Sequence, residues 1–94
     1  MHYVYILISL KTNKFYIGET YDIQQRLVYH NDSSLNNNST KVGIPWQLYL
    51  SIEVTDRAVA RQIEKYIKNM KNRNYIIGLK ENPHWVENLK NKFH

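Results

Sequence analysis

Six residues combine chemically useful side chains or backbone freedom with spacings that let them meet: Tyr5, Tyr16, Gly18, Arg26, His30 and Glu64. A tyrosine carries an apolar ring and a hydroxyl that donates, accepts or ionises. Tyr5 and Tyr16 fall in two neighbouring strand-like runs, so their rings can share one face of a hairpin. Gly18 closes the second run, where a missing side chain lets backbone and ligand approach closely. Arg26 and His30 are four residues apart and so adjacent on a helix that starts after that glycine. Glu64 stands about 100° from the centre of an apolar helical stripe, on its shoulder beside the small Ala60. From there a carboxylate can reach the edge of a cleft while its neighbours stay packed.

Each residue also has a plain structural reading. The tyrosines fit as half-buried sheet residues. Arg26 can pair with Asp22 and Glu64 with Lys68, both at i, i+4. His30 suits the C-terminal end of a helix, and Gly18 suits a strand-to-helix turn. Only the arrangement favours a site.

The elements that must position these residues follow from periodicity. Residues 3–10 are β-branched and aromatic, a strand signature, with Tyr3, Tyr5, Leu7 and Ser9 on one face. Lys11–Lys14 is a polar turn, and Phe15–Gly18 completes a hairpin. Asp22 with Gln25 resembles a capping box, and Ile23, Leu27 and His30 follow helical spacing over 22–30. Residues 31–44 are rich in Asn and Ser, too polar to pack, and are expected to form a mobile loop. Trp46, Leu48, Leu50, Ile52 and Val54 alternate, which predicts a third strand with all five on one face. Val59, Ile63, Tyr66, Ile67 and Met70 predict an amphipathic helix over 56–70. A short helix is expected at 74–80, a break at Asn82-Pro83-His84, and a last helical turn or two at 85–92. The order β-β-α-β-α-α predicts an α+β fold, a small three-stranded antiparallel sheet flanked by helices.

Composition bounds the reading. The chain has 94 residues, so one domain over 1–94 is expected, with the modest core that such a length can bury. It has no cysteine, which removes disulfides, zinc-thiolate sites and thiol nucleophiles, and is compatible with a cytoplasmic setting. No apolar run is long enough for a membrane span, and residues 1–5 lack the pattern of a secretory signal. A net charge of +5 favours polyanionic partners.

The spaced set Val4-Tyr5-Ile6, Tyr16-Ile17-Gly18, Arg26, His30 and Glu64 resembles the GIY-YIG endonuclease superfamily. Thr20-Tyr21-Asp22-Ile23, Pro45-Trp46, Ala60–Lys68 and Asn82-Pro83-His84-Trp85 extend the resemblance over nearly the whole chain. Within that superfamily the chain is similar to short stand-alone members related to the N-terminal nuclease domain of the bacterial excinuclease. Tyr3 stands where the glycine of the first motif would be, and Glu19 where excision-repair relatives carry a lysine. The resemblance implies a metal-dependent endonuclease acting on DNA, in repair or processing. It implies that Tyr5 and Tyr16 activate or position water and that Arg26 contacts the phosphate. His30 would fill a position held by tyrosine or histidine, and Glu64 would ligate one Mg²⁺ or Mn²⁺ ion. Some relatives use a late asparagine, for which Asn72, Asn74 and Asn82 are candidates. That chemistry is coherent: phosphodiester hydrolysis needs charge stabilised on phosphate oxygens and an activated water, and one carboxylate with several waters suits Mg²⁺. Lys41, Lys65, Lys68 and Lys71 are expected to contact the nucleic-acid backbone, and a monomer is expected. The alternatives are a nucleic-acid-binding module with a nuclease fold and little activity, and a basic domain of unrelated function. The presence of both Arg26 and Glu64 argues for the enzyme.

Overall fold

The structure is a computed structural model and describes residues 1–93. Its elements run β1 (His2–Ser9), β2 (Phe15–Thr20), α1 (Ile23–Asn31), a 3₁₀ helix (Ser39–Gly43), β3 (Trp46–Val54), α2 (Arg57–Met70), α3 (Arg73–Glu81) and α4 (Pro83–Phe93). The strands form one antiparallel sheet in the order β2-β1-β3. The α+β class and the three antiparallel strands therefore agree with the sequence reading. The last segment does not stop at a turn or two: α4 is a full helix of 11 residues that starts at Pro83. Proline suits that first position, where its missing N–H has no partner to lose.

β1 is apolar on both faces because both are covered. Val4 and Ile6 pack with Ile17, Ile52, Val54 and the buried residues of α2, α3 and α4. Tyr5 and Leu7 face the other way and pack with Trp46, Leu48 and the α1 residues Ile23 and Leu27. One layer of sheet thus separates α1 from α2.

The face expected for β3 is corrected by a bulge. Ile6 pairs with Leu50 but Leu7 pairs with Leu48, so Tyr49 falls outside the ladder. An extra residue reverses the in–out alternation. Trp46 and Leu48 therefore join the α1 side, while Leu50, Ile52 and Val54 join the α2 side. The even-numbered apolar series spans two cores rather than one.

The expectation of a mobile loop over 31–44 is also corrected. Asn36 and Thr40 are buried there, at 1% and 5% exposure. The polar side chains order the segment by bonding its own backbone, the usual use of Asp, Asn and Ser in turns. Asp32 Oδ1 accepts from the Ser34 and Leu35 amides, and Asn38 Oδ1 accepts from the Thr40 amide. Trp46 Nε1 donates to the Thr40 carbonyl at 2.7 Å, and Asn31 bonds both backbone groups of Trp46. Ser9 Oγ donates to the Gly43 carbonyl and so ties the end of β1 to this segment.

Candidate active site

The helices that deliver the polar residues are capped as their sequences suggest. Asp22 accepts from the Gln25 amide at 3.0 Å and starts α1. Asp56 accepts from the Val59 amide at 2.9 Å and starts α2. Such caps contribute roughly 1 kcal/mol each and fix where the helix begins. Ala60, Ile63 and Ile67 then anchor α2 against the sheet, which leaves Glu64 on the shoulder of the buried stripe.

Three of the candidate residues form a packed cluster on the α1 side. Tyr5 pairs with Gly18, and Leu7 with Tyr16, so the two tyrosines are diagonal neighbours. Their ring centroids are 6.2 Å apart, and the His30 ring lies 4.8 Å from Tyr16 and 6.0 Å from Tyr5. The Tyr5 hydroxyl and His30 Nε2 are 3.1 Å apart, and His30 Nδ1 lies 2.9 Å from Thr40 Oγ1. His30 is fully buried rather than a solvated helix end, and Tyr5 is 2% exposed. Gly18 is required by this packing. A Cβ built there would stand 2.5 Å from the Tyr5 hydroxyl oxygen, so the phenol lies directly over the glycine.

Arg26 and Glu64 flank the cluster from opposite sides of the sheet. Arg26 stacks on the Tyr29 ring at 4.5 Å from its centroid. No ion pair joins it to Asp22 among the described residues. Glu64 accepts from Lys68 Nζ at 2.6 Å, the i, i+4 pair that its sequence allows. That ammonium lies 6.0 Å from the Tyr16 ring centroid, so the pair reaches round the β2 edge to the tyrosines. Arg26 and Glu64 line separate shallow depressions, not one cavity. The Tyr5 phenol nevertheless senses both.

Electrostatics follow from that placement. Burial raises the Tyr5 pKa, and the charges of Tyr16 and Glu64 push the same way, against a hydrogen bond and positive charge from Arg26. Burial, helped by the Arg26 charge, lowers His30 to about 4. His30 is therefore neutral near pH 7.

The remaining candidates are placed as follows. Lys65 and Lys68 are exposed along α2, and Lys71 caps it in the left-handed region at φ 48°. Lys41 is exposed in the ordered 3₁₀ helix, which packs on the α1 side, so it does not lie with the α2 lysines. Glu19 is turned to the α2 side, where it bonds His2 and Arg57. Partial burial would raise its pKa, but those partners outweigh it and the net shift is downward. Of the late asparagines, Asn72 caps α3 and Asn82 bonds the Gly78 carbonyl at its end. Sequence reasoning misses Tyr29, Asn36 and Thr40. Tyr29, three residues after Arg26, is accessible from helical spacing. Asn36 and Thr40 lie in a polar run with no periodicity to single them out.

No group of three or more His, Asp or Glu residues that could cage a metal ion occurs among the described residues. The donor set fits a different arrangement. Glu64 is a single carboxylate whose side chain is 20% exposed and which already holds a cationic group, the Lys68 ammonium. A hard divalent ion that keeps most of its waters needs little more.

A family model described as the GIY-YIG catalytic domain matches residues 1–76, a span that includes all five candidate side chains and Gly18. No protein of curated function and no solved structure matches the chain.

Proposed function

The chain belongs to the GIY-YIG family of nuclease domains, and from that premise we propose that it is a metal-dependent endonuclease hydrolysing DNA phosphodiester bonds. The observation that carries this reading is the setting of the Tyr5 hydroxyl. It is hydrogen-bonded to His30, faces Arg26 and lies within the field of Glu64, although these residues come from three separate elements.

In this reading the Tyr5 hydroxyl, a neutral phenol, hydrogen-bonds the attacking water and aims it at the phosphorus, and the proton of the water passes to solvent. Arg26 holds the phosphate and balances the charge that grows on its oxygens, where a fixed donor is most effective. The Tyr29 ring beneath the guanidinium keeps it in place. Tyr16, half-buried beside Tyr5, positions the water. Glu64 would hold one Mg²⁺ or Mn²⁺ ion in exchange for Lys68, and the ion would supply Lewis-acid stabilisation of the phosphate and leaving oxygens.

The charge distribution supports a nucleic-acid backbone as the partner. Residues 1–60 carry five Lys/Arg and five Asp/Glu, whereas residues 61–94 carry eight and three. The entire +5 excess thus lies in the part of the chain that holds most of α2 and all of α3 and α4. Lys65, Lys68 and Lys71 lead the DNA towards Glu64, and Lys41 meets it from the α1 side. No helix among the described residues is long and apolar enough to cross a membrane. A role in DNA repair or processing, carried out by a monomer, belongs to the same proposal.

A second reading rests on the Glu64–Lys68 ion pair. A carboxylate already neutralised by its own helix suits a module that binds DNA without cutting it. A nicking assay on supercoiled, linear and branched DNA with Mg²⁺, Mn²⁺ or chelator decides between the two. Metal-dependent cleavage of any form supports the enzyme; binding without cleavage supports the module.

A further inference from the structure

α2 has two shoulders. Ala60, Ile63 and Ile67 are its buried stripe. At about 100° per residue, Glu64 flanks that stripe on one side and Tyr66 on the other. Arg61, Lys65 and Lys68 are exposed and fill the arc between the shoulders. Glu64 opens on one depression with these cations, and Tyr66 opens on another. Tyr66, Tyr75, Trp85, Asn88, Leu89 and Lys92 line that second depression, of about 500 Å³, where α2, α3 and α4 meet.

The rings there do more than join helices. A Cβ at Gly78 would run into the Trp85 ring, so the indole is held against α3. Trp85 is nevertheless 37% exposed. The Tyr75 ring is 6.1 Å away and tilted by only 23°, so the two rings are nearly parallel. Tyr66 stands edge-on to Tyr75 at 6.4 Å, and Lys92 Nζ lies 4.8 Å from the Tyr66 centroid. Packing of α4 is served by the buried Leu89 and the inner sides of the rings. It does not require an exposed indole beside an exposed amide and an ammonium. Trp85, Asn88 and Lys92 are all exposed and share one face of α4, at i, i+3 and i+7.

We propose that this depression stacks an unpaired base of single-stranded DNA whose backbone crosses the cationic ridge of α2 to Glu64, so that the preferred substrate has an unpaired strand beside the cut. Aromatic rings stack bases of any sequence, because every base has a π face. Rings already held by packing lose little freedom on binding. The Asn88 amide can donate to and accept from a base edge, and Lys92 meets a neighbouring phosphate. All six lining residues belong to the part of the chain, 61–94, that carries the whole +5 excess. Half a turn around a helix is roughly 17 Å, a path that a few nucleotides span. A paired base stays stacked within its duplex and does not reach the depression, so cutting of plain duplex does not depend on it. Trp85, Asn88, Leu89 and Lys92 lie beyond residues 1–76, the span matched by the family model. The base site itself needs no cleavage; the substrate class rests on the nuclease reading given above.

Binding in chelator tests this without any cleavage. Fluorescence anisotropy compares single-stranded oligothymidine, the same strand with abasic sites in place of its central bases, and a duplex of equal length. The wild type should bind oligothymidine about tenfold more tightly than the abasic strand, the worth of one stacked base. Trp85→Leu keeps an apolar side chain against Gly78 but loses the ring. It should bind both strands with the weaker affinity and leave duplex affinity unchanged. Tryptophan emission gives a second readout on the wild type. The other tryptophan, Trp46, is 7% exposed and donates to the Thr40 carbonyl, so a base can stack only on Trp85. Oligothymidine should therefore quench the emission and the abasic strand should not. Equal affinity of the wild type for the two strands overturns the proposal, as does unchanged emission at saturation or a folded Trp85→Leu that keeps the preference. If Trp85→Leu does not fold, the wild-type affinities and emission decide. If the protein cuts no DNA but shows the base preference, the base site stands and only the nuclease reading fails. If it cuts duplex DNA and treats the two strands alike, the nuclease reading stands and the base site fails.

Discussion

Gly18→Ala adds one methyl group directly under the Tyr5 phenol. The new Cβ would lie 2.5 Å from the hydroxyl oxygen and 2.6 Å from Cζ, against 3.4 Å for the start of ordinary contact, so the ring must retreat by about 1 Å. It has little room, since Tyr5 is 2% exposed and packs on Leu7 and Trp46. Overpacking of this kind costs about 1–3 kcal/mol. Straining or breaking the 3.1 Å bond to His30 adds about 1 kcal/mol. Reduced freedom of the unfolded chain returns only about 0.4–1 kcal/mol. For a domain of this size, each kcal/mol moves the melting temperature by about 4–8 °C, so a drop on the order of 10 °C is expected. The effect on rate should be larger than the effect on folding. Misplacing a reacting group by about 1 Å costs about 10²-fold. Thermal unfolding by circular dichroism and plasmid nicking well below the melting temperature measure the two effects. Gly78→Ala is the control: its Cβ meets the Trp85 ring between α3 and α4, so it should lower stability and leave cleavage by the folded protein intact. A Gly18→Ala protein that melts and cleaves like the wild type refutes the packing argument and the role of Tyr5 together.

Arg26→Ala should lower cleavage and weaken DNA binding, because a phosphate contact is lost; fluorescence anisotropy that shows unchanged affinity contradicts that contact. Binding itself should weaken steeply as salt rises, and Lys65→Gln should reduce the slope of log affinity against log salt by about 1; a salt-insensitive affinity argues against a phosphate footprint. The depressed pKa of His30 predicts a pH effect on stability. Its neutral form is favoured by folding, so that contribution is complete above the ordinary histidine value of 6.5 and is lost as pH falls from there towards 4. The melting temperature should therefore decline below pH 6.5, and His30→Gln should flatten that decline; identical profiles for both proteins contradict a buried neutral histidine.

Much of this is readable from residue order. The hairpin, α2 and the shared face of Tyr5 and Tyr16 follow from short-range patterns that survive in the folded chain, whereas the pairing of Tyr5 with Gly18 is set by the register of the strands. The shoulder position of Glu64 follows from helical geometry alone. Other features depend on contacts that periodicity does not encode. The apolar residues of β3 alternate without interruption, but the bulge at Tyr49 divides them between two cores, because β1 is covered on both sides. Asn36 and Thr40 have the composition of solvated loop residues; they are buried because the His30 ring and the Asn38 amide, distant or irregular in sequence, satisfy them. His30 has the spacing of a helix end, and only the 3₁₀ helix folded over it, with Thr40 against its ring, buries it. The Glu64–Lys68 pair is visible as spacing, but not its approach to Tyr16, which depends on how α2 packs along the sheet.

The most direct test of the account is metal-dependent cleavage by Glu64→Gln beside the wild type. Glutamine preserves size, and the surface pair with Lys68 contributes no more than about 1 kcal/mol, so the fold should survive. A neutral amide is a poor ligand for Mg²⁺, so nicking by the variant should collapse in Mg²⁺ and in Mn²⁺. DNA affinity should hold or rise, since a negative charge beside the phosphates is removed. Wild-type cleavage that chelator abolishes, together with a folded, DNA-binding and inactive variant, is the result the account predicts. A Glu64→Gln protein that cuts as fast as the wild type under the same metal conditions contradicts it.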